Sequence, residues 1–311
     1  MTRRLPPPVL RGLQLALALI LLAVLWHVAD GARAARLLAQ MHPGWLGAAL
    51  GALTLQTGLS ALRWRLAAGQ LGIRLGRVEA LREYYLAQIV NQTLPGGVLG
   101  DAGRAVRSRA QAGLMQAAQA VLFERLAGQA ALFAVFAAAA IPALALPGGP
   151  DAPRWLAGPM LALIGAGLAG AVVFRCGALW PVKAAARIRQ PCILALAAPG
   201  IRARQAWLSL GTALCNIAAF VLCARAVGAV VPVWDALVLV PLILLSMLIP
   251  LTIGGWGLRE GAAVAILPVA GATQAEALAT SVAFGIAMVL AATPGLLAIR
   301  LHQPADAVRP R

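Results

Sequence analysis

Apolar runs long enough to cross a bilayer recur from one end of this 311-residue chain to the other, and no other feature limits its fold so tightly. A helix needs about 20 apolar residues to cross about 30 Å of hydrocarbon. Only helices and closed barrels satisfy the backbone there. The runs are continuous and lack the period-2 alternation of barrel strands, so they are read as helices. They cover residues 12–29, 45–62, 117–144, 155–174, 206–227, 236–249, 262–269 and 277–299. The expected fold is an all-α polytopic transmembrane helix bundle of about eight membrane segments plus a re-entrant broken segment, in a single integral membrane domain over 1–311. With 61% hydrophobic and 12% charged residues, the chain has about half the charge of a soluble domain. Arg3, Arg4 and Arg11 precede the first run, and Ala32-Arg33-Ala34 resembles a signal-peptide cleavage site. The run is longer than a signal core, so we read it as a retained first span.

Charge gives the orientation. The net charge is +16, and of 26 basic residues only Lys183 is not arginine. In a soluble protein this would point to nucleic acid. Here the charge lies between apolar runs and no aromatic-basic platform for single strands accompanies it, so nucleic acid is not an expected partner. Loop arginines instead follow the positive-inside pattern and attract anionic headgroups. With the N-terminus inside and the broken segment entering and leaving on one side, 21 basic residues fall inside, against Arg33, Arg36, Arg154 and Arg225 outside. Both termini, the 63–82 stretch and the 175–204 loop are therefore expected in the cytoplasm, with the chain in the plasma (inner) membrane.

Two interrupted segments carry the chemistry. The first, Tyr84 to Val90, is too short to span and runs into Asn91, Pro95, Gly96, Gly97, Gly100, Asp101 and Arg104. The second follows Pro250 with Gly254, Gly255, Gly257, Arg259 and Glu260. One falls in the half 1–150 and the other in 151–311, as a two-half pseudo-repeat would place them. Proline removes an amide donor, and glycine permits positive φ and close backbone approach. Unwound backbone at membrane depth persists only where protein buries it or it lines a wet cavity, and paired interruptions point to a transporter's binding site. The half-helix after each glycine run would aim its N-terminus at an anion. Arg104 and Arg259 would add planar donors for phosphate or carboxylate, with Asp101, Glu124 and Glu260 holding them while the site is empty. The plainer reading makes both segments surface loops.

Glu124 and Arg125 begin the third run. Neighbours on a helix point about 100° apart, so the two do not simply pair. They form either an interfacial snorkelling pair or an inward Glu124 that answers Arg104 or Arg259. Trp26, Trp45, Trp64, Trp155, Trp180, Trp207 and Trp234 lie near run ends, where aromatic belts form. Trp256 lies inside the second motif and is read as either a cavity wall or a belt residue. The four cysteines have no C-x-x-C spacing and the three histidines do not cluster, so neither a metal nor a cofactor is expected.

Three motifs carry a resemblance to a known family: Asn91-x-x-Leu94-Pro95-Gly96-Gly97-x-x-Gly100-Asp101-x-x-Arg104, Phe123-Glu124-Arg125-Leu126, and Ile249-Pro250-x-x-x-Gly254-Gly255-x-Gly257-x-Arg259-Glu260. Together with Leu62-Arg63-Trp64 they resemble, in order and over nearly the whole chain, the flippase-like membrane domain of lysylphosphatidylglycerol synthases. The resemblance implies movement of lipid between leaflets. The chain stops about a dozen residues after Ile299, so the synthase domain of the bifunctional members is not expected and lysyl transfer is not carried over.

The leading expectation is a lipid flippase or transporter for an anionic or phosphate-bearing membrane lipid, with the headgroup between the two motifs. A membrane-embedded lipid-modifying enzyme would use Asp101, Glu124 and Glu260 as acid/base or metal groups, but each has an arginine nearby that would repel a divalent ion. A structural partner of an envelope-lipid synthesis enzyme is the third class. No Walker A motif suggests direct use of ATP.

Overall fold

The computed structural model describes residues 7–94, 97–145, 157–158, 160–165, 167, 169, 185–248 and 254–300. Pro95, Gly96, Ile249 and Pro250 of the motifs, Trp155, Trp180 and most of the 155–174 run lie outside them. The described residues form helices and turns, with no strand among them. In chain order the helices are α1 (Pro7–Val28), α2 (Gly31–Ala39), α3 (Pro43–Gln70), α4 (Arg77–Thr93), α5 (Leu99–Arg107), α6 (Leu114–Ala145), α7 (Gln190–Ala197), α8 (Arg202–Ala226), α9 (Val233–Leu245), α10 (Leu258–Ile266), α11 (Gln274–Ala292) and α12 (Pro294–Arg300).

Local chemistry sets several boundaries. Asp30 accepts the Arg33 amide at 3.1 Å and starts α2, turning the chain 94° from the end of α1. His42 Nδ1 accepts the Gly44 amide, and Pro43 occupies the first turn of α3, where a missing N–H costs nothing. Thr273 and Glu276 form a capping box at the start of α11.

Among the described residues four stretches are long and apolar enough to cross a membrane: Pro43–Gln70, Leu114–Pro142, Arg202–Ala226 and Gln274–Leu297. The bent pair Gly12–Val28 and Gly31–Ala39 makes a fifth if it is one span. This is fewer than the eight runs in the sequence: most of the 155–174 run lies outside the described residues, and two further runs fall short in length. Val233–Leu248 holds 16 residues, about 24 Å of helix at 1.5 Å per residue, and α10 has only nine residues. Gly257 and Pro268 bound the second of them.

The bundle is built around α11, which has 67% of its most apolar window buried against 28–39% for the other spans. Its alanines allow α2, α3, α8 and α10 to approach closely. α3 and α8 share the most extensive contact. Outward residues are large and apolar, among them Leu15, Leu19, Ile20 and Val24 of α1. In water such a surface would be an aggregation hazard; against lipid chains it is the expected exterior. The chain is a multi-pass membrane protein.

Candidate functional site

Seven charged side chains are buried among the described residues: Glu83, which pairs with Arg107, and Arg63, Asp101, Arg104, Glu124, Arg259 and Glu260. A charge at the centre of a bilayer costs at least about 2.5 kcal/mol, so each needs compensation. The last six form two groups.

The larger group centres on Glu124. Its Oε1 accepts from Arg63 Nη2 at 2.5 Å, Arg63 Nε at 3.2 Å and the Tyr84 hydroxyl at 3.2 Å. Its Oε2 accepts from Arg104 Nη2 at 3.2 Å. Arg104 Nη2 also donates to Asp101 Oδ1 at 2.8 Å. Asp101 Oδ2 accepts from Asn91 Nδ2 at 2.9 Å and pairs with Arg125. Arg63 Nη1 donates to Thr212 Oγ1 at 2.8 Å. The result is an alternating chain, Arg63–Glu124–Arg104–Asp101–Arg125, drawn from α3, α5 and α6 and fastened to α4 and α8. The Arg104 guanidinium lies 4.5 Å from both the Trp64 and Tyr84 rings. Its Nε and Nη1 have no hydrogen-bond partner among the described residues, so the π faces take up the charge that those donors leave unmatched.

The smaller group is Arg259 and Glu260 of α10. Arg259 donates to Glu260 Oε1 through Nη2 at 2.5 Å and Nε at 3.1 Å, and to Ser281 at 3.0 Å. Glu260 Oε2 accepts the Gly257 amide at 2.6 Å and so caps its own helix. The guanidinium lies 5.2 Å from the Trp256 ring and 5.5 Å from that of Phe284.

Close backbone approach holds the motifs in place. A Cβ on Gly100 would lie 2.0 Å from the Ala87 carbonyl oxygen, so only glycine lets α5 rest on α4. Asn91 completes that joint: its Oδ1 accepts the Gly100 amide at 2.8 Å. In the third motif Gly254, Gly255 and Gly257 all have positive φ, at 57°, 80° and 88°, a region that side chains disfavour.

Between the motifs lies a cavity of about 360 Å³, within the usual range for ligand sites of about 300–1,000 Å³. Gly97, Val98 and Asp101 of the first motif line it, with Glu124 and Arg125 of the second and Gly254 and Gly255 of the third. α3 adds Arg63, α4 adds Tyr84 and Asn91, α8 adds Thr212, and α11 adds Phe284 and Met288. Segments from opposite halves of the sequence thus share one wall.

Other residues stand where the sequence did not place them. Arg104, Arg259 and Glu260 do not line the cavity; they are fully buried behind it. Gly100 and Gly257 likewise serve helix contacts and turns. Arg63 was counted as a loop charge, but α3 continues to Gln70 and carries it into the core. Trp64, assigned to a belt, is fully buried against Arg104, whereas Trp26, Trp45, Trp207 and Trp234 are exposed. Trp256 backs Arg259 and does not line the cavity. Glu124 turns inward to Arg104, not to Arg259. Arg63, Tyr84, Gln92 and Thr212 escaped the sequence reading; the Leu62-Arg63-Trp64 position was the available signal for the first of them.

The chain matches the family model described as the lysylphosphatidylglycerol synthase TM region over residues 13–295. No curated protein and no solved structure matches it. The match takes in every described helix that contributes to the cavity, together with both broken motifs and the Glu124-Arg125 pair. The chain belongs to the family of the lysylphosphatidylglycerol synthase transmembrane region.

Proposed function

We propose that this protein is a transporter that moves a membrane lipid with an anionic or phosphate-bearing headgroup between leaflets, the headgroup entering the cavity between the two glycine-broken motifs. One observation carries the reading: both motifs line a single cavity that holds charged side chains inside an otherwise apolar bundle. The headgroup is desolvated there while the acyl chains stay in lipid.

Arg125 is the cation that meets the headgroup. Its side chain is 42% exposed, and its Nη2 holds the Gly97 carbonyl at 3.1 Å as well as Asp101. A phosphate arriving at Arg125 competes with Asp101 for the same planar donor set, which suits a bidentate oxyanion. Asn91 and Gly97 shape the wall around it, and Pro95, Gly96, Gly100, Gly254, Gly255 and Gly257 give the backbone its breaks. Arg104, Arg259 and Glu260 act from behind the wall by holding it. In this reading the membrane topology comprises about eight segments in two pseudo-repeated halves, with both termini in the cytoplasm, and no cofactor takes part. The enzymes that make the lipid are the natural partners.

The test is leaflet exchange of fluorescent anionic and zwitterionic lipids in vesicles containing the purified protein. Arg125→Gln should abolish exchange of the anionic lipid, whereas the exposed Arg109→Gln should not change it. Equal exchange by wild type and Arg125→Gln would sink this role for Arg125, and no protein-dependent exchange of any lipid would sink the transport reading.

A further inference from the structure

A basic helix face stands at one end of the bundle, away from the cavity. α1 has 22 residues, about 33 Å of helix at 1.5 Å per residue, enough by length to cross the hydrocarbon. The chain then turns 94° into α2, so with α1 spanning, α2 runs along the membrane surface. Local chemistry holds the turn. Asp30 is the only non-glycine residue with positive φ among the described residues, at 50°, and it caps α2. A Cβ on Gly31 would run into the Trp26 ring. Gly31 and Ala34 are buried, and Leu38 packs against the main core cluster. At about 100° per residue these three share one side of α2, and Arg33 and Arg36 fall on the opposite side. Both arginines are exposed. Neither has a side-chain hydrogen bond, ion pair or ring contact among the described residues. Asp30 and Glu276, at the starts of α2 and α11, accept backbone amides instead.

Tryptophan marks the level of this face. Trp26 lies in the last turn of α1 and Trp45 in the first turn of α3, and α2 lies between them in the chain. Both are exposed, and indole rings at the ends of spans sit in the headgroup layer. A guanidinium at that level meets lipid phosphates, which its planar donors suit. A soluble acidic partner fits this surroundings less well, because Val24, Trp26, Val28 and Trp45 expose an apolar rim beside it that belongs against acyl chains.

We propose that α2 is a membrane-surface anchor whose Arg33–Arg36 face holds the phosphates of anionic lipids in the leaflet at that end of the bundle. The site is separate from the cavity and does not depend on the transport reading. Its consequence lies in what α2 fastens. α2 packs on α11, whose Ser281 bonds both Arg259 and Glu260. α1 packs on α10 at Gly257, where a Cβ would lie 2.9 Å from Leu21 Cβ. The α1–α2 corner therefore braces the third motif from two sides, and its contact with lipid sets the depth at which that motif stands.

The test places p-benzoylphenylalanine at Ala39, which is exposed and one turn beyond Arg36, in the full chain reconstituted into vesicles of equal phosphatidylglycerol and phosphatidylcholine. On illumination, cross-linked phosphatidylglycerol should exceed cross-linked phosphatidylcholine by about fivefold, the scale of one arginine near an anionic surface. Arg33→Gln and Arg36→Gln should each lower that ratio and together bring it close to parity. The thermal midpoint should not move, because both side chains are exposed and the Arg33 amide still reaches Asp30. Arg33→Lys with Arg36→Lys should keep most of the ratio, since the charge is retained. Equal cross-linking of the two lipids with both arginines present, or an unchanged ratio in the double glutamine variant, would overturn the proposal. Loss of the ratio in inorganic phosphate but not in chloride of equal ionic strength would assign the arginines to a free anion and overturn it too. Cross-linking to a protein in place of lipid in native membranes would do the same.

Discussion

Replacing Glu124 with glutamine tests whether the five-residue network holds the bundle together. Glu124 is fully buried and stands between Arg63 and Arg104, which are 4% and 0% exposed. The substitution keeps the side chain's shape and removes one negative charge, leaving two guanidiniums 2.5 and 3.2 Å from an uncharged oxygen or amide. Removing one partner of a buried ion pair costs about 3–5 kcal/mol, because the remaining charge stays buried. Asp101 still compensates Arg104 at 2.8 Å, so the main loss falls on Arg63, and the lower half of that range is expected. The second perturbation is Arg63→Gln in the Glu124→Gln background. It removes the stranded cation and restores the original net charge of the network. The double variant should therefore be more stable than the sum of the single losses by about 1–3 kcal/mol. The assay is reversible unfolding in mixed micelles, followed by circular dichroism, for wild type, both single variants and the double variant. A Glu124→Gln loss under about 1 kcal/mol, or strict additivity in the cycle, would refute the account of Glu124 as the counter-ion of Arg63.

Other expectations are more local. Gly100→Ala should destabilise the protein by about 3 kcal/mol in the same unfolding assay, since the new Cβ would lie 2.0 Å from the Ala87 carbonyl; a neutral effect would show that α4 and α5 separate easily. Arg259→Lys should lower the thermal midpoint and leave the lipid preference intact, because lysine cannot reproduce the Nε and Nη2 contacts to Glu260 but Arg259 does not line the cavity. For orientation, a membrane-impermeant thiol reagent applied from outside should label a cysteine placed near Gly149 and leave one near Arg187 untouched; labelling of both would reverse the positive-inside assignment.

The helical, membrane-spanning character was legible because it depends on length and hydropathy, which are one-dimensional. The runs at 45–62 and 206–227 became α3 and α8, the second with its ends shifted by a few residues. What failed was depth. The run at 45–62 ends in sequence at the first arginine, yet α3 continues eight residues past Leu62 to Gln70. Arginine marks a membrane boundary only when it faces water, and Arg63 faces Glu124 from another helix. The same substitution of a protein partner for solvent applies to Arg104, which is one of the 21 basic residues in the inside count and bonds to Asp101 and Glu124. Removing Arg63 and Arg104 leaves 19 inside charges against four, so the orientation argument survives the error. The glycine motifs were legible because few other sequences tolerate three positive-φ positions in four residues. Which arginine faces the cavity was not, because hydropathy records that a charge is present and not which way its helix turns it.

The two motifs solve one problem in different ways. Each starts a nine-residue helix after a glycine turn, and each buries an arginine beside aromatic rings with a carboxylate against it. In α10 the arginine and its partner are adjacent in sequence, and Glu260 also caps the Gly257 amide. That unit is closed: it is neutral, it consumes its own donors and it fixes the glycine turn on the cavity wall. In α5 the carboxylate is shared, since Asp101 binds both the buried Arg104 and the half-buried Arg125. A ligand that draws Arg125 away from Asp101 alters the balance on Arg104, and through Glu124 on Arg63, which bonds Thr212 of α8. The first motif therefore couples the cavity to three further helices, while the third holds its side of the wall still.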